Sequence, residues 1–413
     1  IYLTDDVTLT GGELDISLWN TKVYLCLNGH TLTSSDYSSP IIKAGGDLVI
    51  CDCAGGGKIG VRGSEENPTA AGIEPKRNFY LYGGSICENY GKEGAVYLSS
   101  SSKIYMYGGS ISDNTNISGS GGGIQSESLA KMYMYDGSIR GNSAKSDGGG
   151  VYHAGGEIHM YGGSIAGNSA SNGGGICMSS GDTAELAGGS ISGNSASNGG
   201  GIYLNTAYNI NVGGCNIVAN NANYGGGIFM KDLYGKCTVF AGNISKNTAK
   251  TNGGAIYVKG MNNSAAYTNI TLAGGEIAGN SAENGSAIYL EENSVLDITD
   301  GEIIGNTASG SGTVYVNTGT ALNMSGGKIS DNTIGGNGGG IYAWLSAVNL
   351  TGGEISGNNS VWGAGVYIHG ATLVMDGGSI LNNTATYSGG GLLLQNGSST
   401  PGKATVNGGE ICG

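Results

Sequence analysis

Apolar and polar residues alternate in short stretches along nearly the whole chain. Ile104 and Met106 alternate with Tyr105 and Tyr107, and Ile202 and Leu204 flank Tyr203. A period of two is the signature of a half-buried strand. The stretches recur in a fixed frame, best read from Gly188–Leu204, GGSISGNSASNGGGIYL. Gly-Gly-x-Ile comes first, then Asn three residues after the Ile, a small polar turn, and Gly-Gly-Gly-Ile-Tyr-Leu. The first isoleucine of each copy falls at Ile59, Ile86, Ile111, Ile139, Ile165, Ile191, Ile217, Ile244, Ile277, Ile303, Ile329, Ile355, Ile380 and Ile411, with Leu32 one step earlier. Nearly all steps lie between 25 and 28 residues; those into Ile277 and Ile411 are 33 and 31 and carry insertions.

Such a period must be explained before anything else. Three short strands per copy, separated by Gly/Asn/Ser turns, cannot bury an apolar side alone. Stacked copy on copy they form an all-β parallel β-helix. The rule for parallel crossovers predicts a right-handed one. About 15 rungs at roughly 4.8 Å predict a rod on the order of 70 Å. The 83 Gly in 413 residues exclude helical repeats, because a Gly inside a helix costs about 1 kcal/mol relative to Ala. Collagen is excluded by 4 Pro and the lack of a strict Gly every third residue.

The asparagines reinforce the frame. Asn89, Asn114, Asn142, Asn168, Asn194, Asn220, Asn247, Asn280, Asn306, Asn332, Asn358 and Asn383 each follow the ruler residue by three positions. On a coil they form one column, and each amide can bond its neighbours above and below, satisfying a turn that would otherwise bury polar groups.

Residues 1–31 are less regular and predict an atypical first coil covering the open core end, with Val7, Leu9, Leu14, Ile16 and Leu18 as strand positions. Residues 32–413 carry the repeat. Within it, 61–77 is a degenerate coil: Arg62 holds the asparagine slot, among Glu65, Glu66, Glu74, Lys76 and Arg77. It reads as a solvated irregular turn or a ligand-contacting loop. Insertions at 231–236, 259–269 and 395–403 all follow the third strand, predicting one decorated edge. The chain begins at Ile1 and ends at Gly413 inside a fresh copy, which reads as a piece of something longer.

Charge narrows the partners. A net charge of −13 with sparse Lys and Arg disfavours nucleic acid, and no apolar run is long enough for a membrane-spanning helix. The suggestive chemistry is aromatic. The residue after the third-strand Ile or Val should point outward. It is Tyr97, Tyr152, Tyr203, Phe229, Tyr257, Tyr289, Tyr315, Tyr342 and Tyr367 in nine coils. A second column precedes Gly-Gly: Tyr82, Tyr107, Tyr135 and Tyr161, beside Tyr80, Tyr105 and Tyr133. Both suit a sugar or a protein partner, although stacked tyrosines also stabilise their own ladder.

Catalytic constellations are thin. Glu276, Glu302 and Glu354 share one slot, interrupted by Lys328, and a solvated column explains them better than a catalytic pair. There is no Asp-rich calcium loop, and His153 and His159 read as turn and surface-strand residues. No cofactor or metal is expected. The eight cysteines contain no Cys-x-x-Cys pair. Cys26 precedes Cys51 by 25 residues and Cys53 by 27, so a disulfide to one or the other fits the coil spacing. Cys177, in a tyrosine slot, reads as unpaired.

Two resemblances bear on these patterns. Leu25-Cys26-Leu27-Asn28-Gly29-His30-Thr31-Leu32 resembles the entry coils of pectin-lyase-like β-helices. Ile244-Ser245-Lys246-Asn247, followed by Gly253-Gly254-Ala255-Ile256-Tyr257, resembles the paired Phe-x-x-Asn and Gly-Gly-Ala-Ile repeats of chlamydial polymorphic membrane proteins. That likeness spans roughly Ile86 to Leu394, with Ile in place of Phe and no outer-membrane barrel. Glycine-rich β-helices of Gram-positive gut bacteria are similar too. The resemblance implies a secreted or bacterial cell-surface, non-enzymatic adhesin-like stalk presenting a glycan or host protein with a repetitive surface. A self-associating structural rod and a carbohydrate-active lyase or hydrolase are the alternatives.

Overall fold

The computed structural model describes residues 1–16, 20–179, 181–207, 209–261 and 267–412. Leu18, expected in a strand, and the centre of the 259–269 insertion lie outside them. The chain is an all-β parallel β-solenoid of about 15 turns, with no helix among the described residues. It forms two compact units, residues 1–203 and 204–413.

In the first unit, each turn pairs in parallel with the next, core position over core position. The ruler residues form one inward column, Ile59↔Ile86↔Ile111↔Ile139↔Ile165↔Ile191, all fully buried. A second inward column runs Leu25↔Ile50↔Leu81↔Met106↔Met134↔Met160↔Leu186. A third runs Ile42↔Ile73↔Val96↔Ile124↔Val151↔Ile176. Each fully buried side chain contributes about 1.5–3 kcal/mol, so the core is a continuous stack of aliphatic layers. The opening residues join it in register through Val7↔Leu32 and Leu14↔Ile42.

The second unit repeats the plan with Ile217↔Ile244↔Ile277↔Ile303↔Ile329↔Ile355↔Ile380 as its ruler column. A further sheet of seven short strands follows the asparagine column, from Asn221–Tyr224 to Thr384–Ser388. The insertions follow Ile228–Lys231, Ile256–Lys259 and Leu392–Gln395, three strands of one sheet.

One local feature differs from the pattern reading. Many Gly-Gly pairs bend a strand rather than end it. Lys103–Ser112 runs through its pair as one strand, and Ala130–Arg140 runs through Asp136-Gly137 at the same place, with the register slipping at Tyr107. Coils approach very closely there: a Cβ at Gly108 would lie 2.5 Å from the Tyr82 carbonyl oxygen. Without a side chain, the ladder continues across the corner.

The asparagine column forms a hydrogen-bonded ladder in each unit. Asn142 Nδ2 donates to the Ile111 carbonyl below at 2.9 Å and to Asn168 Oδ1 above at 3.0 Å, while Asn168 Oδ1 also accepts the Asn142 backbone N–H at 2.9 Å. The geometry recurs at Asn247, Asn280, Asn306, Asn332 and Asn358 in the second unit. Arg62, in the slot below Asn89, is buried; its guanidinium donates to the Asp36 and Ala71 carbonyls at 2.7 Å and to the Ser39 carbonyl at 3.1 Å. It thereby supplies donors to a degenerate coil that lacks the amide.

Candidate functional site: an exposed aromatic face

In-register stacking turns one repeated residue into a column. Tyr80↔Tyr105↔Tyr133↔His159 are direct register partners in the first unit. Their ring centroids are 4.9, 5.0 and 5.0 Å apart, and their planes differ by 10° or less. Two residues on along each strand, Tyr82, Tyr107, Tyr135 and Tyr161 form a second stack at 4.9, 4.9 and 5.3 Å. The face is two rings wide and four turns tall. Its outer column is 53, 39, 41 and 43 % exposed in that order, while the inner column is half-buried.

Each ring in a stack uses its faces on the rings above and below. Solvent therefore meets ring edges, which carry the positive side of the quadrupole, and phenolic hydroxyls, which both donate and accept. Charged groups flank the columns. Lys22 Nζ sits 4.4 Å from the Tyr80 ring centroid. Glu157 accepts from Lys131 at 2.7 Å and lies 3.2 Å from His159 Nε2, while Glu185 lies 3.2 Å from His159 Nδ1. The Lys131 ammonium, helped by His159, holds the Glu157 carboxyl below its ordinary range. His159 was readable only as a surface-strand residue in isolation. Its place two residues before Tyr161, as Tyr105 stands before Tyr107, is the signal that puts it in the column.

The other aromatic column lies elsewhere. In the second unit Phe229, Tyr257, Tyr289, Tyr315, Tyr342 and Tyr367 stack at 4.7, 5.4, 4.6, 4.8 and 5.2 Å. They project from the side of their strands that faces away from the core, yet all but the half-buried Tyr315 are buried. The glycine turn before each strand folds against the ring: a Cβ on Gly253 would come within 2.7 Å of the Tyr257 Cβ. In the first unit Tyr97, Tyr152 and Tyr203 are half-buried, and Tyr97 donates to Glu127 at 2.5 Å. Cys177 is buried in that slot.

Burial has a measurable consequence. It pushes the Tyr289 phenol up to about 12, and raises Tyr315 and Tyr342 as well. A phenol in the unfolded chain ionises near pH ~10. The contribution of these groups to stability is therefore complete below pH ~10 and is lost as pH rises through the folded values. Absorbance titration at 295 nm is expected to show a late tyrosine phase that coincides with loss of β-sheet ellipticity. Ionisation of all tyrosines near pH ~10 with the fold intact would contradict it.

Among the described residues, the carboxylates that share one slot are interleaved with a lysine. Glu276 and Glu302 are register neighbours, but Glu302 next faces Lys328, whose ammonium pairs with Glu354 at 3.2 Å. His153 is buried against Asp182 at 2.8 Å, and Asp182 also accepts the Gly155 and Ser179 amides at 2.7 Å, which fixes a corner of the coil. Near the base of the aromatic face, the Cys26 backbone is in register with Cys51, but its sulfur lies 2.9 Å from the Cys53 sulfur.

Comparison with known proteins gives one short match. Residues 238–259 match the Chlamydia polymorphic membrane protein repeat. These residues contain the Ile244–Asn247 and Gly253–Tyr257 motifs. No curated protein matches the chain, and no solved structure does, so no pectin-lyase-like relative stands beside the repeat. A repeat of this kind on a parallel β-solenoid is consistent with a surface-exposed repeat passenger.

Proposed function

We propose that the chain is a non-enzymatic, adhesin-like stalk displayed at a bacterial surface, and that it binds an extended, hydroxyl-rich glycan along the aromatic face of its first unit. The observation that carries this reading is the outer column Tyr82, Tyr107, Tyr135 and Tyr161, exposed although each residue is large and apolar-bodied. Monomeric proteins seldom leave contiguous apolar surface open without a use for it. The spacing fits a polymer better than a single sugar: a hydroxyl recurs at every turn, and many weak contacts add by avidity. The short repeat match supports the surface setting. The sparse charge, and Lys328 standing between Glu302 and Glu354 in the shared slot, support a binding role over a lyase or hydrolase.

A glycan array probed with the full chain tests the reading. The wild type is expected to bind a restricted class of glycans. Tyr107→Ala/Tyr135→Ala should lower that signal at least ~10-fold while keeping the wild-type circular dichroism. Tyr387→Ala, an exposed ring outside the face, should leave it unchanged. No binding by the folded wild type, or equal binding by the double variant, overturns the proposal.

A further inference from the structure

Cys26, Cys51 and Cys53 place their three sulfurs within 4.8 Å of one another, the one group of three metal-ligating side chains among the described residues that converges in this way. The fold makes the convergence. Cys26 and Cys51 are vertical neighbours on outward positions of parallel strands. Cys53 returns to the same point because Asp52 anchors the turn between them, its carboxylate accepting the Gly29 and Gly57 amides at 2.7 Å. The other five cysteines lie apart from this group: Cys87, Cys177, Cys215 and Cys237 are buried in other turns, and Cys412 is exposed.

We propose that these three residues form a soft-metal site that binds one Cu(I) ion as a tris-thiolate. With metal–sulfur bonds of about 2.3 Å, as for zinc thiolates, a trigonal site needs sulfurs about 4.0 Å apart. That lies between the 2.9 Å Cys26–Cys53 separation and the 4.8 Å outer limit, so side-chain rotation alone can reach it. Thiolate sulfur selects Cu(I) among the common cations. A closed structural zinc site would need a fourth protein ligand, and the adjacent carboxylate of Asp52 is already committed to two amides. The backbone already favours one thiolate. The Cys53 amide points at the Cys26 sulfur at 3.4 Å. Binding breaks three S–H bonds, sends three protons to solvent and forms three Cu–S bonds, with no electron transferred.

The test uses the full chain, reduced with a phosphine under anaerobic conditions and titrated with Cu(I) against a chromogenic copper chelator. The wild type is expected to retain one equivalent more than Cys26→Ser/Cys51→Ser/Cys53→Ser, which keeps the other five cysteines. A near-ultraviolet thiolate-to-copper band should saturate at that equivalent. Cys51→Ser, which alters a half-buried position, should bind at least ~10-fold more weakly without loss of fold. Equal copper retention by wild type and triple variant would sink the proposal. So would a Cys26–Cys53 disulfide that survives the phosphine and leaves the wild type without the band.

Discussion

Asn280→Ala should destabilise the second unit by about 3–5 kcal/mol, far more than a typical surface substitution. Asn280 is fully buried. Its Oδ1 accepts the Asn247 backbone N–H at 2.9 Å and the Asn247 Nδ2 at 3.0 Å; its Nδ2 donates to the Ile244 carbonyl at 2.8 Å and to Asn306 Oδ1 at 2.9 Å. Alanine removes four bonds at once. The Asn247 N–H loses the acceptor it uses in the fold, and the Ile244 carbonyl loses this donor, where water cannot replace either. Each stranded buried group costs about 1–3 kcal/mol, and the lost side chain leaves a small void besides. Asn306 Oδ1 keeps the Asn280 backbone N–H at 2.9 Å and Asn247 Nδ2 keeps the Ile217 carbonyl at 2.8 Å, which bounds the loss from above. Stacked repeats need not unfold as one unit. The measurement should therefore pair urea unfolding with hydrogen exchange, and protection is expected to fall first in the turns holding Ile244, Ile277 and Ile303. Asn198→Ala removes only a half-buried 2.7 Å bond to Asn172 and should cost less than about 1 kcal/mol. If the two variants are equally mild, the column is ornament rather than support.

The ladder shows what a repeat makes legible. A period of about 26 residues places Ile over Ile and Asn over Asn, and parallel register follows from that placement alone. Side-chain direction was legible as well, because alternation fixes which residues face the core. What alternation leaves open is whether an outward residue meets water. Tyr107 and Tyr257 occupy equally outward positions, yet one is 39 % exposed and the other 5 %. The difference is made by the turn that folds over the Tyr257 column, a feature of backbone path rather than of the tyrosine. The cysteines carry a similar lesson. The 25-residue spacing from Cys26 to Cys51 gives the backbone partner, while the 27-residue spacing to Cys53 gives the sulfur in contact; sequence spacing could not rank them because a turn intervenes. Arg62 was legible as an exception to the asparagine slot, but its four carbonyl partners come from segments before and after it, brought together only by the fold.

The turn over the buried column supplies the other large effect. Gly338→Val is expected to cost about 3–5 kcal/mol and to expose Tyr342. Gly338 sits at φ +70°, and a Cβ there would lie 2.6 Å from the Tyr342 Cβ and 2.7 Å from the Ile341 carbonyl oxygen. The left-handed conformation costs an ordinary L-residue about 1–2 kcal/mol, and a β-branched one is a true outlier there. The contact adds the penalty of overpacking, about 1–3 kcal/mol, because both neighbours are backbone or backbone-proximal atoms that cannot swing aside. The position two residues on is different. Gly340 holds a slot that Ala255 and Ala287 fill in other turns of the same unit, both fully buried, but in its own turn a Cβ would lie 2.7 Å from the Gly365 carbonyl oxygen and from Ile355 Cγ2. Gly340→Ala should therefore carry the contact penalty alone, about 1–3 kcal/mol, without the backbone penalty of Gly338, because Gly340 is not in the left-handed region. Urea midpoints of the two variants, with tyrosine absorbance near pH ~11 as a local reporter, separate the effects. In Gly338→Val the late-ionising phenols of this column should shift toward the ordinary range as the turn lifts away. Equal midpoints and unchanged titration would mean that the glycine is kept by something other than the ring packed against it.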